Sequence, residues 1–357
     1  VSVMNKIINV GLVGYGMAGR VFHAPIITNV SGLNLYKVYT TNEDAIKALN
    51  ERYSDVIVSS NIDELFQDPN IQLIVLAVPN VLHYELAIKA LENNKHVVVE
   101  KPFTVTTKEA DKLIALAKRN NKILTVHQNR RWDSDFKTIE KIVKSNSLGN
   151  IVEYEAHFDR FRDYFKENTW KEKKLPGSGI LYDLGSHLID QAQYLFGLPT
   201  EVFGDLRIQR QDGIIIDNFE IIMNYPNLKV TLKAGMLVKE ISAHFTLLGN
   251  KGSFTKYGMD VQEENLKKGL TPKDLECWGK EPESLYGKIN TEINGLHITG
   301  NIESEVGDYR EFYSNVYKSI LSEDTIKVTA LQARNTIKII ELAEKSNTEK
   351  HWVKFNE

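Results

Sequence analysis

Six short apolar runs alternate with amphipathic segments between Ile7 and about Val126, and this alternation limits the possible folds more than any other feature of the chain. The runs are continuous rather than alternating in hydrophobicity, which is typical of strands buried on both faces of a parallel sheet. The segments between them, such as VLHYELAIKALENN and TKEADKLIALAKRNN, carry apolar residues at helical spacing. Strands separated by helices in this order predict a doubly wound α/β domain.

The pattern changes after Trp132, where long strand-like runs follow one another directly. They are NIVEYEAHFDRF, TEVFGDLRIQR, GIIIDNFEIIMNY, LKVTLKAGMLV and SAHFTLLG. Consecutive strands of this kind predict an α+β domain with a large, open, mostly antiparallel sheet. Residues from about 256 to 300 show no clear period, so we interpret them as an excursion or flexible arm, and two helices at about 303–321 and 329–345 close the chain.

The length and hydrophobic content fit two domains. A chain of 357 residues with 42% hydrophobic residues can bury two cores. We predict a first domain over residues 1–127 and a second domain over residues 128–357.

Charge and cysteine content narrow the class of partner. The 44 basic and 47 acidic residues are well mixed along the chain. The sequence therefore gives no indication of a basic face that would bind nucleic acid or an anionic membrane. The single cysteine, Cys277, excludes an internal disulfide and favours a reducing, cytoplasmic compartment. No apolar run approaches the roughly 18 residues of a membrane span, and the N-terminal segment is too short and strand-like for a signal peptide. We therefore expect a small-molecule substrate.

A glycine motif lies directly after the first predicted strand, in INVGLVGYGMAGRVFHAPII. Gly14, Gly16 and Gly19 stand in GxGxxG spacing and are followed by a helical pattern. In dinucleotide-binding domains these glycines allow a tight turn, the approach of a pyrophosphate and close packing of helix on strand. A purely structural glycine turn is the alternative, but the strand and helix on either side are the context that the motif requires. We predict that this loop, with Met17, binds a dinucleotide.

The end of the second strand bears on the choice between NADP and NAD. NAD enzymes usually place an acidic residue there to bind the ribose 2′-hydroxyl. This strand ends VYTTNED, with Thr40, Thr41 and Asn42 at that position. A 2′-phosphate is then not repelled, although no arginine stands in this stretch to bind it. NADP is the preferred prediction and NAD the alternative.

Two more strands of the first domain end in polar stretches, LAVPNVLHYELA and VVVEKPF. Because ligands of open α/β sheets lie at the carboxyl ends of the strands, we expect Pro79 and Asn80 beneath the nicotinamide ribose. His83 either contacts the cofactor or merely begins the next helix.

The second of these stretches contains Lys101, which Pro102 bars from a helical conformation. Lys101 is therefore held at an abrupt bend beside Glu100. It either faces the cofactor and substrate or is a surface lysine paired with Glu100.

The stretch GILYDLGSHLIDQAQYLFG, residues 179–197, predicts a mostly buried helix. Asp183, His187, Asp190 and Tyr194 fall within about 60° of arc at 100° per residue, and apolar residues cover most of the rest. So narrow a polar stripe indicates a functional face. A buried Asp and His that merely satisfy each other are the alternative. We predict no metal site, since this pair lacks a third ligand at suitable spacing.

Two arginine-bearing stretches are further candidates. HQNRRWDSDF begins where the first domain ends, and its Asn129, Arg130, Arg131 and Trp132 either line the nicotinamide side of a cleft or make interdomain contacts. Arg160 and Arg162 are two apart on a predicted strand and hence share a face, which meets either substrate or a partner subunit.

The motifs GYGMAG, VPNVLH, EKP and GILYDLGSHLID, in this order and spacing, resemble the glucose-fructose oxidoreductase, inositol dehydrogenase and rhizopine-catabolism family, Gfo/Idh/MocA. The resemblance covers nearly the whole chain. NRRWDSDF, FTKYGMDVQEENLKKG and SLYGKI resemble the branch that contains NADP-dependent scyllo-inositol dehydrogenases. Relatives in that branch often show Ser-Arg where this chain has Thr41 and Asn42.

The resemblance implies an NAD(P)-binding Rossmann domain over residues 1–127 and a substrate-binding and oligomerisation domain, built on an open sheet, over residues 128–357. It implies a site in the cleft between them. It also implies catalytic roles for Lys101, Asp183 and His187. The expected reaction transfers a hydride between NAD(P) and a secondary hydroxyl of a cyclitol, polyol or sugar, with Lys101 and His187 handling the hydroxyl proton. A non-catalytic nucleotide-sensing regulator and an NAD-dependent glycosidase are the alternatives within the family.

We also expect self-association. An open sheet leaves one face in need of cover, and apolar outward residues in GIIIDNFEIIM fit a homodimer or a homotetramer through the C-terminal sheet.

Overall fold

The computed structural model describes residues 6–167 and 169–356 and divides the chain into two compact units. Unit 1 runs to Asn129 and also takes in Gln262–Trp278 and Asp308–Arg334. Unit 2 comprises Arg130–Val261, Gly279–Gly307 and the residues from Asn335 onward. The domain boundary at residues 127 and 128 stays a prediction. The assignment of the two later segments to unit 1 was not anticipated.

Unit 1 contains a six-stranded parallel sheet. Its strands are β1 (Ile8–Val13), β2 (Leu33–Tyr39), β3 (Ile57–Ser59), β4 (Leu73–Leu76), β5 (His96–Val99) and β6 (Leu124–Val126). Their order is β3-β2-β1-β4-β5-β6, and all five pairings are parallel. This order is that of a Rossmann fold, and each strand coincides with one of the predicted apolar runs. The predicted doubly wound domain is confirmed.

Unit 2 contains a nine-stranded mixed sheet. Its strands are β7 (Ile151–Asp159), β8 (Glu201–Arg207), β9 (Asn218–Tyr225), β10 (Leu228–Gly235), β11 (Phe245–Gly249), β12 (Gly252–Lys256), β13 (Gly287–Ile293), β14 (Leu296–Ile302) and β15 (Val353–Lys354). The order is β14-β13-β12-β11-β7-β10-β9-β8-β15, and only β7 and β10 pair in parallel. The predicted large, mostly antiparallel sheet is confirmed.

The α-helices connect and cover these strands. In chain order they are α1 (Ala24–Ile27), α2 (Glu43–Arg52), α3 (Asp63–Phe66), α4 (His83–Glu92), α5 (Thr107–Arg119), α6 (Ser134–Lys144), α7 (Ile180–Asp183), α8 (Gly185–Phe196), α9 (Val261–Lys267), α10 (Arg310–Ile320) and α11 (Ala330–Glu349). Local sequence fixes several helix ends. At α5 the Thr106 hydroxyl accepts from the Glu109 amide and the Glu109 carboxylate accepts from the Thr106 amide, which is a capping box. None of the helices in the described part of the chain is both long and apolar enough to cross a membrane.

The prediction of a flexible arm over residues 256–300 is wrong. The segment contains α9, β13 and β14, and it adds two strands to the sheet of unit 2. It is anchored by the buried ion pair of Lys256 with Glu281, 3.1 Å apart. Polar and apolar residues alternate along β13, GKINTEI, and along β14, LHITGNI, although β14 is exposed along nearly its whole length.

Of the apolar outward residues predicted in GIIIDNFEIIM, Ile214 is 55% exposed and Ile222 is half-buried on the outward side of β9. Ile221 and Met223 are fully buried. The partly exposed positions of this strand are Asn218, Glu220, Ile222 and Asn224. Because side chains alternate between the two faces of a strand, burial of Ile221 and Met223 turns mostly polar residues to the other face.

Candidate active site

The glycine loop follows β1 and has the geometry of a dinucleotide cradle. Gly14 has φ +98°, and a Cβ there would lie 2.3 Å from the Ala77 carbonyl oxygen. A Cβ at Gly19 would lie 2.2 Å from the Gly14 carbonyl oxygen, whereas a Cβ at Gly16 would have no atom within 4 Å. Protein backbone therefore requires glycine at the first and third positions. At the second position the backbone is open, which fits the close approach of a pyrophosphate.

The chain leaves this loop through a π-helical turn, Ala18–His23, before α1 begins. Arg20 on this turn is exposed, while His23 is fully buried. Single π-helical turns occur frequently at functional sites because they shift the side chains that follow out of regular α-helical register. On this turn Arg20 thus faces solvent, whereas His23 faces the interior of unit 1.

A cavity of about 380 Å³ lies beside the loop in unit 1. Its lining residues are Tyr15, Gly16, Met17, Arg20, Thr40, Asn42, Asp44 and Ala45. The Asn42 side chain accepts a hydrogen bond from the Ala45 amide at 2.8 Å and so caps the N-terminus of α2. Thr41 is exposed but not part of the lining. Four residues predicted from the sequence thus share one cavity.

Arg20 is a lining residue that the sequence analysis missed. Arg20 is distant in sequence from the end of β2 and directly follows Gly19, the third glycine of the motif. That position, in the first turn after the motif, was a usable signal. Burial and the neighbouring Tyr53 raise the pKa of Tyr15 to about 12, with Arg20 and Arg52 opposing, so Tyr15 is neutral in this cavity.

His83 joins two loops at the carboxyl edge of the parallel sheet. Its Nδ1 lies 2.9 Å from the Pro102 carbonyl oxygen and its Nε2 lies 2.9 Å from the Val78 carbonyl oxygen. The ring is 1% exposed. Burial lowers the pKa of His83, against the raising effect of these carbonyls and of Glu100. Both nitrogens face the backbone, so the geometry assigns His83 a bracing role, and its contact with the cofactor stays a prediction.

Asn80 and Pro79 lie in the loop that His83 braces. Asn80 is buried at the start of a 3₁₀ turn, Asn80–Leu82, and Pro79 is half-buried before it. The loop after β4 thus turns at these two residues, and their position beneath the nicotinamide ribose stays a prediction.

Lys101 follows β5, is half-buried, and is joined to Pro102 by a cis peptide bond. Glu100 Oε1, one of the two carboxylate oxygens, lies 2.9 Å from His23 Nε2 and 2.7 Å from His127 Nδ1. Both alternatives for Lys101, contact with ligand and pairing with Glu100, stay predictions.

In unit 2 the predicted helix over residues 179–197 is interrupted. It forms two helices, α7 and α8, with Leu184 between them. Gly185 follows at once, and glycine is a poor helix former, which favours a break at this point. The apolar side of α8 is buried as predicted, and the helix packs on β10.

The polar stripe divides into two parts. Asp190 receives two hydrogen bonds from the buried Arg131, at 2.8 and 2.7 Å, and the Tyr194 hydroxyl donates to Glu140 at 2.7 Å. These contacts hold α8 in place within unit 2. Asp183 and His187 are the two members of the stripe that remain candidates for chemistry.

Asp183 and His187 have different surroundings. Asp183 is half-buried and forms an ion pair with Lys171, 2.8 Å away. His187 is 5% exposed, and its ring meets the Phe158 ring edge-on with 6.3 Å between centroids. Phe158 also lies under the Arg130 guanidinium, 5.4 Å from it. The ring of Phe158 thus links two predicted site residues, and Lys171 is a neighbour of Asp183 that sequence spacing did not indicate.

The remaining predicted residues are placed separately. Asn129 ends the first segment of unit 1, whereas Arg130 begins unit 2 and contacts Asp133 at 3.2 Å. Trp132 is buried in unit 2. Arg160 and Arg162 come directly after β7 and continue its pairing, since the Arg160 amide donates to the Gly235 carbonyl of β10 at 3.0 Å and the Arg162 amide to the Met236 carbonyl at 2.7 Å. Their contact with substrate or with a partner subunit stays a prediction.

Comparison with known proteins gives these residues a family context. Residues 8–128 match the family model described as oxidoreductase family, NAD-binding Rossmann fold, and residues 140–355 match the oxidoreductase family, C-terminal alpha/beta domain. The chain is 41% identical to the oxidoreductase YdgJ of Escherichia coli, covering 95% of this chain and 96% of that protein. It is 36% identical to the scyllo-inositol 2-dehydrogenase (NADP(+)) IolW of Bacillus subtilis, covering 97% and 95%. The solved structure of the oxidoreductase yvaA from Bacillus subtilis matches with a TM-score of 0.94 at 35% identity, covering 99% of both chains.

Proposed function

Because the chain belongs to the Gfo/Idh/MocA oxidoreductase family, we propose that it oxidises a secondary hydroxyl of a cyclitol, polyol or sugar with NADP as the preferred nucleotide. The glycine loop carries the nucleotide part of this proposal, since its backbone is open at Gly16 alone of the three motif positions. The similarity to a scyllo-inositol 2-dehydrogenase over 97% of the chain supports the polyol part.

His187 and Lys101 are proposed to handle the hydroxyl proton. An imidazole with a reference pKa of about 6.5 accepts a proton near neutral pH. The Lys101 ammonium stabilises the negative charge that develops on the same oxygen. The nicotinamide, when bound, supplies the hydride acceptor. Asp183, held by Lys171, is proposed to bind a neighbouring hydroxyl or to favour the imidazolium of His187.

An assay with both nucleotides tests the proposal. Purified protein is titrated with NADP and NAD, with nucleotide binding followed by fluorescence, and is then assayed with inositols and aldoses. We expect saturable binding and nucleotide reduction with at least one polyol. Absence of nucleotide binding at millimolar concentration rejects the whole proposal, whereas binding without polyol turnover rejects only the substrate class.

Arg20 supports the preference for NADP. It is exposed on the cavity that holds Thr40 and Asn42, and it forms no ion pair with another described residue. A guanidinium binds phosphate through paired, charge-assisted hydrogen bonds. Asp44 in the same lining opposes this preference, since its carboxylate repels a 2′-phosphate and suits a 2′-hydroxyl.

Replacing Arg20 with alanine is therefore expected to raise the Kd for NADP about 10-fold and to change the Kd for NAD by less than about 2-fold. Isothermal titration with each nucleotide measures the two constants. Arg119→Ala, at the exposed end of α5, is the matched control. An equal rise in the Kd for NADP and for NAD means that Arg20 contacts a part that both nucleotides share. That result contradicts a role of Arg20 in selecting NADP.

We further propose that the protein self-associates as a homodimer or homotetramer. The polar outward positions of β9 mean that such an interface rests on ion pairs and hydrogen bonds as well as on apolar contact. Light scattering at micromolar concentration gives the assembly size.

A further inference from the structure

A buried polar cluster lies directly beside Lys101 in the chain. It consists of Glu100, His23, His127 and Tyr313, and we call it the Glu100 cluster. Glu100 Oε1 receives hydrogen bonds from His23 Nε2 and His127 Nδ1, and His23 Nδ1 lies 2.6 Å from the Tyr313 hydroxyl. The two histidines and Tyr313 are at most 2% exposed, and Glu100 is 9% exposed. Four buried polar side chains in unit 1 thus form a linked group that includes Glu100, the residue before Lys101.

The other side of Lys101 is held by a second buried histidine contact. His83 Nδ1 lies 2.9 Å from the Pro102 carbonyl oxygen and 3.2 Å from that of Phe103. His83 Nε2 faces the Val78 carbonyl oxygen of the neighbouring loop. The residue before Lys101 and the two residues after it are therefore fixed by separate buried histidines.

The hydrogen bonds define the charge of the Glu100 cluster. Burial raises the pKa of Glu100, but the hydrogen bonds from His127 and His23 outweigh it and hold the pKa well below its ordinary value. Burial lowers the pKa of His127 to about 4, so its ring is neutral at pH 7 with the proton on Nδ1, towards Glu100. His127 Nε2 then carries only a lone pair, which agrees with its having no hydrogen-bond partner among the described residues. With Glu100 ionised and His127 neutral, the Glu100 carboxylate is a buried negative charge next to Lys101 in the chain.

Lys101 interacts electrostatically with the Glu100 cluster. The ammonium of Lys101 is one of the groups that lower the pKa of His127. Interaction between two titrating groups is reciprocal, so the charge state of the cluster also changes the proton affinity of Lys101.

Metal ligation explains the cluster less well than hydrogen bonding does. His23, Glu100 and His127 offer a nitrogen, oxygen and nitrogen set within 4.8 Å of one another. Tetrahedral ligands at zinc distances lie about 3.3 Å apart. The contacts of Glu100 with the two histidines, 2.9 and 2.7 Å, are shorter than this and have normal hydrogen-bond lengths.

We propose that the Glu100 cluster and His83 are positioning residues for Lys101. They fix the backbone on both sides of the lysine, and the buried carboxylate stabilises its ammonium form. This inference rests on the proposed function, in which Lys101 stabilises the charge on the reacting oxygen. A residue held in this way loses little freedom when the reaction begins.

The test uses Glu100→Gln, which keeps the shape of the side chain and removes its charge. We expect kcat/KM for polyol oxidation to fall about 10-fold at pH 8 and the alkaline limb of its pH profile to move to lower pH by about 1 unit, because the ammonium loses a nearby anion. Tyr313→Phe removes one donor and keeps the carboxylate, so a smaller shift in the same direction is expected. His96→Asn is the matched control, since His96 also ends β5 but at the opposite end, where it accepts from the Ile123 amide at 3.0 Å.

A second readout needs neither nucleotide nor substrate. The lysines of the full-length protein are reductively methylated with ¹³C, the Lys101 signal is assigned with Lys101→Arg, and its titration is followed by NMR. We expect Lys101 to titrate at lower pH in Glu100→Gln than in wild type or His96→Asn. If the lysine titrates identically in all three and the pH profiles coincide, the positioning role is overturned.

The two readouts separate this inference from the proposed function. A wild-type protein that oxidises no polyol contradicts the proposed function, while the NMR titration still decides the effect of Glu100 on Lys101. If Glu100→Gln does not fold, Tyr313→Phe decides the question by the same titration, and an unmoved Lys101 signal in that variant counts against the proposal.

Discussion

Replacing His187 with asparagine is expected to lower kcat for polyol oxidation by about 10²- to 10⁴-fold, the usual contribution of a positioned general base. Asparagine resembles the imidazole in size and polarity but cannot accept the hydroxyl proton. His187 is 5% exposed and packs edge-on against Phe158, so a residue of similar volume limits structural change. Steady-state kinetics with saturating nucleotide measures the loss, and nucleotide Kd is expected to stay within about 2-fold.

The pH profile gives the same prediction a second readout. His187 accepts a proton only when neutral, so wild-type kcat/KM is expected to fall as pH drops through the imidazole pKa, whose reference value is about 6.5. In His187→Asn this acidic limb disappears. His297→Asn is the control, because His297 lies on exposed β14 and contacts Asn290. A His187→Asn protein with wild-type kcat and an intact acidic limb rules out His187 as the base.

The parallel sheet could be predicted because its signal is local. Each strand of unit 1 is a continuous apolar run, and burial on both faces requires no information from elsewhere in the chain. The glycine loop was predictable for the same reason, since β1, Gly14 to Gly19 and the following turn are contiguous. Local periodicity also gave most of the strands of unit 2, where polar and apolar positions alternate along β7 and β9.

The polar partnerships could not be predicted in this way. His23 and Tyr313 are 290 positions apart, and Arg131 and Asp190 are 59 apart. Both contacts form only in the completed fold. The residues near each partner in the sequence give no pattern from which the contact could be predicted. The narrow stripe on residues 179–197 was therefore a correct indication of buried polar residues but not of their roles. Two of its members turned out to hold α8 in place rather than to remain candidates for ligand contact.

Two patterns in the second half were not resolved from the sequence. Polar and apolar residues alternate along β14, LHITGNI, although the strand is exposed along nearly its whole length, and this alternation is typical of a strand. In GIIIDNFEIIM the apolar residues are too many to tell which face is inward from the sequence alone. The structure buries Ile221 and Met223 and leaves Ile214, before the strand, 55% exposed.

Replacing Lys101 with methionine separates a dehydrogenase from a nucleotide-sensing regulator built on the same fold. Methionine keeps the length of the side chain and removes the ammonium, so kcat/KM for polyol oxidation is expected to fall about 10²- to 10³-fold, as when one stabilising donor is lost from a developing oxyanion. Nucleotide Kd is expected to change less than about 3-fold, because the glycine loop and the cavity beside Arg20 are untouched. Lys112→Met, exposed on α5, is the control.

A regulator and a dehydrogenase differ in how kcat/KM and nucleotide Kd respond to Lys101→Met. A regulator needs nucleotide binding but no charge on the reacting oxygen, so a Lys101→Met protein that keeps its full biological effect and its nucleotide affinity favours the regulator. A dehydrogenase loses turnover while the nucleotide still binds. Lys101→Arg sharpens the distinction. It restores the positive charge but places it on a planar guanidinium, which cannot reproduce the point charge of an ammonium. If charge is the essential property, Lys101→Arg is therefore expected to have a higher kcat than Lys101→Met. Equal kcat values for the two variants mean that the exact position of the charged group after β5 matters more than the presence of a positive charge.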